Sequence, residues 1–204
     1  MSRIVIISGS HRQNSQSRRI ANYLKDRCHT LLSSSAEIMD IAELSLPLWD
    51  QEVWNGGEPW KQLLPPIHAQ LTDAEGYLII APEWGGMVPP GLKNLLLLCS
   101  QEQVGHKPAM LVGVSAARGG AYPISELRSS GYKNNKIVVM PDHLIIRDCE
   151  KMLQTEQAES EDDEFLRSKI DWALQVLDQY MQSFLQLRRD DKGILFQAEH
   201  KNGM

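Results

Sequence analysis

The stretch IVIISGSHRQNSQSRRIA, residues 4–21, decides the fold. It opens with an apolar, β-branched run that is typical of a buried parallel strand. It closes as the start of a helix, because apolar residues recur at helical spacing at Ile20, Leu24, Cys28 and Leu31. Between the two lies a polar turn that contains Gly9 and four serines. The stretch therefore predicts a strand that turns directly into an amphipathic helix.

The same alternation of strand and helix continues along the chain. Further strands are predicted at 37–41, 76–81, 109–115 and 136–140, with 143–148 as an extension or a small extra strand. Helices are predicted at 67–74, 92–100, 121–130 and 164–189, and the acidic segment 154–164 as an exposed linker. Five alternations imply a parallel sheet covered on both faces, and right-handed crossovers limit it to a doubly wound α/β sandwich. We predict one domain over residues 1–189 and a C-terminal tail, 190–204, that either docks through residues 194–196 or stays loose.

Composition narrows the class of partner. A net charge of −5 gives no basic field for nucleic acid or an anionic membrane surface. No apolar run reaches the ~18 residues of a membrane span. The apolar run at the start of the chain, residues 4–7, is too short for the core of a signal peptide. The three cysteines form no CxxC pair, and neither they nor the histidines show metal-ligand spacing. We expect a cytoplasmic protein with its native N-terminus, no metal site, and no nucleic-acid or membrane partner.

The first turn has the composition of an anion site. A helix N-terminus presents unpaired N–H groups and a positive dipole end, to which serine hydroxyls and Arg12 would add donors and charge. The simpler interpretation is that the serines only cap the helix, yet a cap needs one serine. The turn lacks GxGxxG, GxxxxGK[ST] and cysteine. Nicotinamide-dinucleotide, P-loop nucleotide and cysteine-phosphatase sites are therefore disfavoured.

Three motifs together resemble the NADPH-dependent FMN reductase family. They are GSHRQNSQSRRIA (9–21), PEWGGMVPPGLKN (82–94) and SAARGGAYPISELR (115–128). The family pairs a GSxRxxSxxxxxA phosphate loop with a PEYNxSxPGxLKN loop and a glycine pair after the fourth strand. The resemblance covers residues 4–148 and implies a flavodoxin-like, doubly wound, five-stranded parallel sheet with helices on both faces.

The resemblance also implies which residues hold the cofactor. The FMN phosphate would lie on Ser10, Arg12, Ser15, Gln16 and Ser17. The isoalloxazine ring would be flanked by Pro82, Glu83, Trp84 and Gly85, with Ser115, Gly119 and Gly120 along its other edge. Trp84-Gly85 stands where the family has Tyr-Asn. No side chain is predicted to act as a catalytic acid or base, because the cofactor carries the chemistry.

The implied function is an FMN-dependent NAD(P)H oxidoreductase. It would pass hydride from NADPH or NADH through flavin N5 to a small-molecule acceptor: a quinone, an azo compound, a metal oxyanion or free flavin. Members of the family are commonly homodimers or homotetramers. The altered Trp84-Gly85 loop leaves two alternatives on the same fold, an electron carrier and a cofactor-free interaction module.

Two features outside the motifs permit more than one interpretation. Trp49, Trp54 and Trp60 lie in one loop and either wall a pocket for planar substrates or form the apolar underside of that loop. Arg118, beside the glycine pair, either contacts the reduced flavin or the adenosine phosphate of NADPH, or is a solvated loop residue.

Overall fold

A computed structural model describes residues 3–32, 34–190 and 192–201. Its centre is an all-parallel sheet in the order β2-β1-β3-β4-β5. The strands are β1 Arg3–Ser8, β2 Ser35–Asp40, β3 Gly76–Pro82, β4 Pro108–Val114 and β5 Val138–Ile146. This order confirms the predicted flavodoxin-like, doubly wound topology.

Helices cover both faces of the sheet. The helices are α1 Gln16–Leu31, α2 Ile41–Leu44, α3 Glu52–Asn55, α4 Trp60–Asp73, α5 Pro90–Leu97, α6 Gln101–Val104, α7 Ala121–Ser129, α8 Glu161–Asp190 and α9 Lys192–Leu195, followed by a 3₁₀ turn, Ala198–His200. Ile4 and Ile6 of β1 face the core that α1 and α8 cover, whereas Val5 and Ile7 face the core under α4, α5 and α7. The central strands are apolar on both faces for this reason.

Two predicted elements have different limits in the structure. β2 stops at Asp40, because the Asp40 carboxylate accepts from the Ala42 N–H at 3.2 Å and caps α2. α4 begins at Trp60 rather than Ile67, since the buried Trp60 and Leu64 bind its first turns to the core despite Pro65 and Pro66. Tertiary packing outweighs local helix propensity here.

The C-terminal half also departs from the prediction. The two pieces predicted near 136–140 and 143–148 are one strand, β5, whose pairing is irregular between Ala109 and Leu111 of β4. α8 begins inside the predicted acidic linker, where the Ser160 hydroxyl accepts from the Asp163 N–H at 3.1 Å. Acidic residues suit a helix N-terminus because of its dipole.

The described part of the tail contacts the body of the protein. The Leu195 carbonyl lies 3.2 Å from Nε2 of His106, and the Phe196 ring meets the His106 ring edge-on at 5.3 Å between centroids. Ile194 is exposed. The tail thus docks through Leu195 and Phe196 at the edge of the sheet where the strands begin. Its last three residues lie outside the described residues.

Candidate functional site

Three loops meet at the edge of the sheet where the strands end. The β1 turn (9–17), the β3 loop (83–89) and the β4 loop (115–120) follow strands that are neighbours in the order β1-β3-β4. In parallel α/β sheets this edge is where ligands bind. The fold therefore brings the three sequence motifs together.

Gly9 fixes the path of the β1 turn. Its N–H donates to the Ile80 carbonyl at 2.9 Å, so the turn leaves β1 while still tied to β3. A Cβ at this position would lie 2.3 Å from the Ile80 oxygen and 2.8 Å from Cδ2 of Leu92. No side chain fits here, which explains the glycine.

The serines of the turn play different parts. Ser15 is the N-cap of α1, and its hydroxyl accepts from the Arg18 N–H at 3.1 Å. The Ser10 hydroxyl accepts from the Arg12 N–H at 3.2 Å. Ser17 is 1% exposed, and its hydroxyl has no partner among the described residues. Capping therefore accounts for Ser15 alone, and the buried Ser17 hydroxyl, like that of Ser8 in β1, has no partner among the described residues.

Backbone donors in the same turn are also open. The N–H groups of Gln16 and Ser17, in the first turn of α1, have no acceptor among the described residues. The Gln16 side-chain oxygen accepts from Nε of Arg19 at 2.7 Å, so its amide N–H₂ faces away from that bond. Open N–H groups and a free hydroxyl at the positive end of a sixteen-residue helix suit a phosphate.

The arginines near the turn are not equivalent. Arg18 pairs with the carboxylates of Asp40 and Glu43, at 3.0 and 2.9 Å. Arg19 donates to the carbonyls of residues 149, 152 and 153 as well as to Gln16. Arg12 is exposed and makes no ion pair among the described residues. Arg12 is therefore the arginine of this turn whose guanidinium is available to bind an anion.

The β3 loop is a tight hairpin. Trp84 and Met87 exchange N–H···O bonds of 3.1 and 3.0 Å, and Gly85 and Gly86 between them have φ of +57° and +79°. Two left-handed residues in a two-residue hairpin make a type I′ turn, for which glycine is favoured. The replacement of the family's asparagine by Gly85 thus fits a turn that the loop forms by itself.

Trp84 joins the β3 loop to the β1 turn. Its ring meets the His11 ring edge-on, with centroids 4.4 Å apart. His11, to which the sequence motifs assign no role, also lies close to the start of α5. A Cβ added at Gly91 would be 3.3 Å from its Nδ1. The two loops are consequently packed against each other and against the start of α5.

Glu126 of α7 anchors the other end of the β3 loop. Its carboxylate accepts from the Val88 N–H at 2.8 Å and from Nζ of Lys93 at 2.6 Å. These two hydrogen bonds, that from Lys93 first, lower the pKa of the Glu126 carboxyl from its ordinary value of 4.5. Sequence reasoning missed this residue, because its partners are 33 and 38 positions away.

The anchor predicts a pH effect on stability. Because the native pKa of Glu126 lies below that of the unfolded chain, its stabilisation is full above about pH 4.5 and is lost as the pH falls through the lowered native pKa. We expect the free energy of unfolding of the wild type to fall more steeply than that of Glu126→Gln between about pH 5 and pH 3. Urea unfolding of both proteins measures this. If the free energy of unfolding fell equally with pH in the two proteins, the anchoring role of Glu126 would be contradicted.

The β4 loop is fixed by one hydrogen bond within the loop and by another to Glu83 of the β3 loop. The Ser115 hydroxyl accepts from the Ala117 N–H at 3.2 Å. Gly120 has φ of +98° and donates its N–H to the Glu83 carboxylate at 2.5 Å. Of the predicted glycine pair, Gly119 has an N–H with no acceptor among the described residues, whereas that of Gly120 is occupied.

The tryptophan loop separates into buried and exposed parts. Trp60 is 1% exposed and donates from Nε1 to the Asp50 carboxylate at 2.8 Å. Trp54 is 76% exposed and meets Trp49 edge-on, with centroids 4.8 Å apart. Trp60 is thus a core residue, and Trp54 is a surface ring held in place by its neighbour. Arg118 is exposed, as a solvated loop residue would be.

The comparisons with known proteins show the family of the chain. A family profile described as NADPH-dependent FMN reductase matches residues 2–151. The chain belongs to this family. It is an oxidoreductase that uses FMN, with NAD(P)H as the reductant. Family membership confirms the expected enzyme class.

Two curated relatives are similar in sequence, and a solved structure is similar in fold. An NADPH azoreductase from Bacillus sp. (strain OY1-2) is 28% identical over 131 residues, 63% of this chain and 67% of that protein. A 2-hydroxy-1,4-benzoquinone reductase from Burkholderia sp. is 30% identical over 131 residues, 62% of this chain and 68% of that protein. The solved structure of FerB, a flavoenzyme NAD(P)H:(acceptor) oxidoreductase from Paracoccus denitrificans, superposes with a TM-score of 0.70 at 17% identity, over 90% of this chain and 99% of that one.

None of the helices in the described ranges is both long enough and apolar enough to cross a membrane.

Proposed function

We propose that the protein binds FMN across the β1 turn, the β3 loop and the β4 loop. It uses NADPH or NADH as the electron donor and reduces planar conjugated acceptors, namely quinones or azo compounds. The observation that carries this proposal is the β1 turn. Among the described residues, the Ser17 hydroxyl is buried without a partner and the first N–H groups of α1 have no acceptor. A phosphate satisfies all of these donors at once.

The proposed phosphate ligands divide by the atom that each supplies. Ser17 gives its hydroxyl and backbone N–H, and Gln16 gives its backbone N–H and side-chain amide. Ser10 and Ser15 already accept backbone N–H groups through their oxygens, and each hydroxyl can still donate its proton to a phosphate oxygen. Arg12 adds a bidentate cation. The phosphate is thus held by neutral donors and a single guanidinium.

The proposed ring site lies between the other two loops. The N–H groups of Gly85, Gly86 and Gly119 have no acceptor among the described residues, so each can donate to a carbonyl of the ring. Pro82 and Trp84 give the site apolar surface, and Ser115 begins the β4 loop, directly after the end of β4 at Val114. Glu83 and Gly120 bond to each other and so act on the loop rather than directly on the ring.

The chain itself needs no general acid or base for this function. When bound, FMN supplies the two-electron chemistry that couples NAD(P)H oxidation to reduction of the acceptor. The loops bind and orient the cofactor, and the edge-on contact with His11 fixes the Trp84 ring at one side of the proposed site. Backbone N–H groups along one edge of a flavin favour its reduced, anionic form.

The class of acceptor is argued from an exposed aromatic ring and from the relatives. Trp54 presents a large aromatic ring, 76% exposed, that is held by Trp49 and can stack on a planar molecule. Two relatives are named for an azo and a benzoquinone substrate. Both substrate classes are planar and conjugated, which fits an aromatic platform.

Location and assembly are proposed on separate grounds. We place the enzyme in the cytoplasm because its three cysteines are free. We propose a homodimer or homotetramer because Leu97 of α5 and Leu48 are 62% and 75% exposed, which suits a contact with a second copy.

Binding to the flavin-free protein tests the site. FMN and riboflavin differ only by the phosphate, so we expect FMN to bind at least about a hundredfold more tightly if the β1 turn holds that phosphate. Quenching of flavin fluorescence in a titration measures both affinities. Equal affinities would contradict the phosphate site even if the loaded protein were active.

Steady-state assays of the FMN-loaded protein test the acceptor. We expect kcat/KM for a benzoquinone and an azo dye to exceed that for chromate and for free FMN, with either NADPH or NADH as the reductant. A preference for chromate or free FMN would contradict the aromatic platform while leaving the flavin site intact.

A further inference from the structure

Glu83 joins two of the three loops. Its backbone N–H donates to the Val114 carbonyl at 2.9 Å, one residue beyond the last pair of the β3–β4 ladder, Pro82 and Val114. Its side chain then crosses to the β4 loop, where the carboxylate accepts from the Gly120 N–H at 2.5 Å. Glu83 thus extends the β3–β4 pairing through its backbone and connects the β3 loop to the β4 loop through its side chain.

The glycine pair fits this carboxylate. A Cβ at Gly119 would lie 2.7 Å from one carboxylate oxygen of Glu83 and 3.0 Å from the carboxyl carbon. Gly120 takes a positive φ of +98°, which turns its N–H toward the same group. Gly119 therefore leaves room for the Glu83 carboxylate, and Gly120 supplies the N–H that the carboxylate binds.

Arg147 holds the opposite side of the same loop. Its Nε donates to the carbonyls of Arg118 and Gly119, at 2.8 and 3.2 Å. The N–H side of the β4 loop is therefore bonded to an anion and its carbonyl side to a cation. Hydrogen bonds to charged groups are stronger than neutral ones, so the loop is fixed from both sides.

The Glu83 carboxylate also stands at the start of α7. Gly120 is the N-cap of this nine-residue helix, and no side-chain cap is supplied locally. The Glu83 carboxylate, from the β3 loop, accepts instead from the N–H of the N-cap residue itself, where a negative charge is favoured by the positive end of the helix. The same charge opposes any negative charge that develops nearby, including that of a reduced flavin.

We infer that Glu83 and Arg147 are positioning residues that clamp the β4 loop to the sheet, and that the Glu83 charge lowers the reduction potential of the flavin. The inference rests on the proposed function for the identity of the ligand. The clamp itself is a property of the flavin-free chain. It can be measured whether or not flavin binds.

The first experiment uses the full-length protein without flavin. Hydrogen–deuterium exchange is followed by mass spectrometry in the peptide that contains Gly119 and Gly120. We expect Glu83→Ala and Arg147→Met to raise exchange in this peptide at least about tenfold. The matched control is Glu75→Gln, since Glu75 precedes the same strand at its other end and pairs with Arg188. Unchanged exchange in Glu83→Ala would overturn the clamp.

The second experiment separates the clamp from the charge. We expect Glu83→Ala to weaken binding of oxidised FMN about tenfold or more, and Glu83→Gln, which keeps an acceptor oxygen, to weaken it less. We expect Glu83→Gln to raise the midpoint potential of bound FMN, because it removes the opposing charge, and Glu75→Gln to leave it unchanged. A potential unaltered by Glu83→Gln would overturn the electrostatic part. Failure of the wild type to bind FMN would instead contradict the proposed function.

Discussion

Gly9→Ala is expected to lower the free energy of unfolding by about 3 kcal/mol or more. The added methyl would lie 2.3 Å from the Ile80 carbonyl, which is backbone of the central strand β3 and cannot swing aside. The β1 turn must move away from β3 and lose the Gly9–Ile80 hydrogen bond. Urea unfolding of the flavin-free protein measures the loss, and FMN affinity should fall with it because the turn begins at this residue.

The matched control is Gly193→Ala. A Cβ at Gly193 has nothing within 4 Å, so this substitution adds a methyl group without a contact. It lies in α9, where alanine is the better helix former. We expect its unfolding free energy to stay within about 0.5 kcal/mol of the wild type or to rise slightly. A Gly9→Ala protein as stable as this control would contradict the close approach of β1 and β3.

Ser15→Asp is expected to weaken FMN binding by at least about a hundredfold while leaving the fold intact. Aspartate caps helices as well as serine does, so the bond to the Arg18 N–H can persist and the carboxylate suits the helix dipole. The same carboxylate lies in the proposed phosphate site. There it repels a group that carries about −1.5 to −2 charges.

Two controls make this result specific. Ser100→Asp places the same substitution at the N-cap of α6, outside the three loops, and should leave FMN affinity unchanged. Riboflavin has no phosphate, so Ser15→Asp should bind it as the wild type does. Calorimetric or fluorescence titration gives the dissociation constants, and unfolding curves confirm the fold. Equal losses for FMN and riboflavin would contradict the assignment of the phosphate to the β1 turn.

The sequence predicted those parts of the site that depend on local patterns. The β-branched run before Gly9 and the apolar stripe of α1 dictate a strand followed by a helix, whatever the rest of the chain does. The alternation of such units dictates a parallel sheet, and a parallel sheet places all the loops after its strands at one edge. The three motifs could therefore be assigned to one site before any contact was known.

Where a partner is distant in sequence, only the tertiary structure decided the role of a residue. Glu83 bonds to Gly120, Glu126 bonds to Val88, and the start of α4 depends on the burial of Trp60. No periodicity or spacing in the sequence indicates these pairs. The order of the strands in the sheet decides which loops are neighbours, and that order differs from the order of the strands along the chain. The sequence by itself thus determined the topology and the edge of the sheet at which the three candidate loops meet. The tertiary structure decided which donors are already occupied and which are left for a ligand, because hydrogen-bond partners are chosen in space.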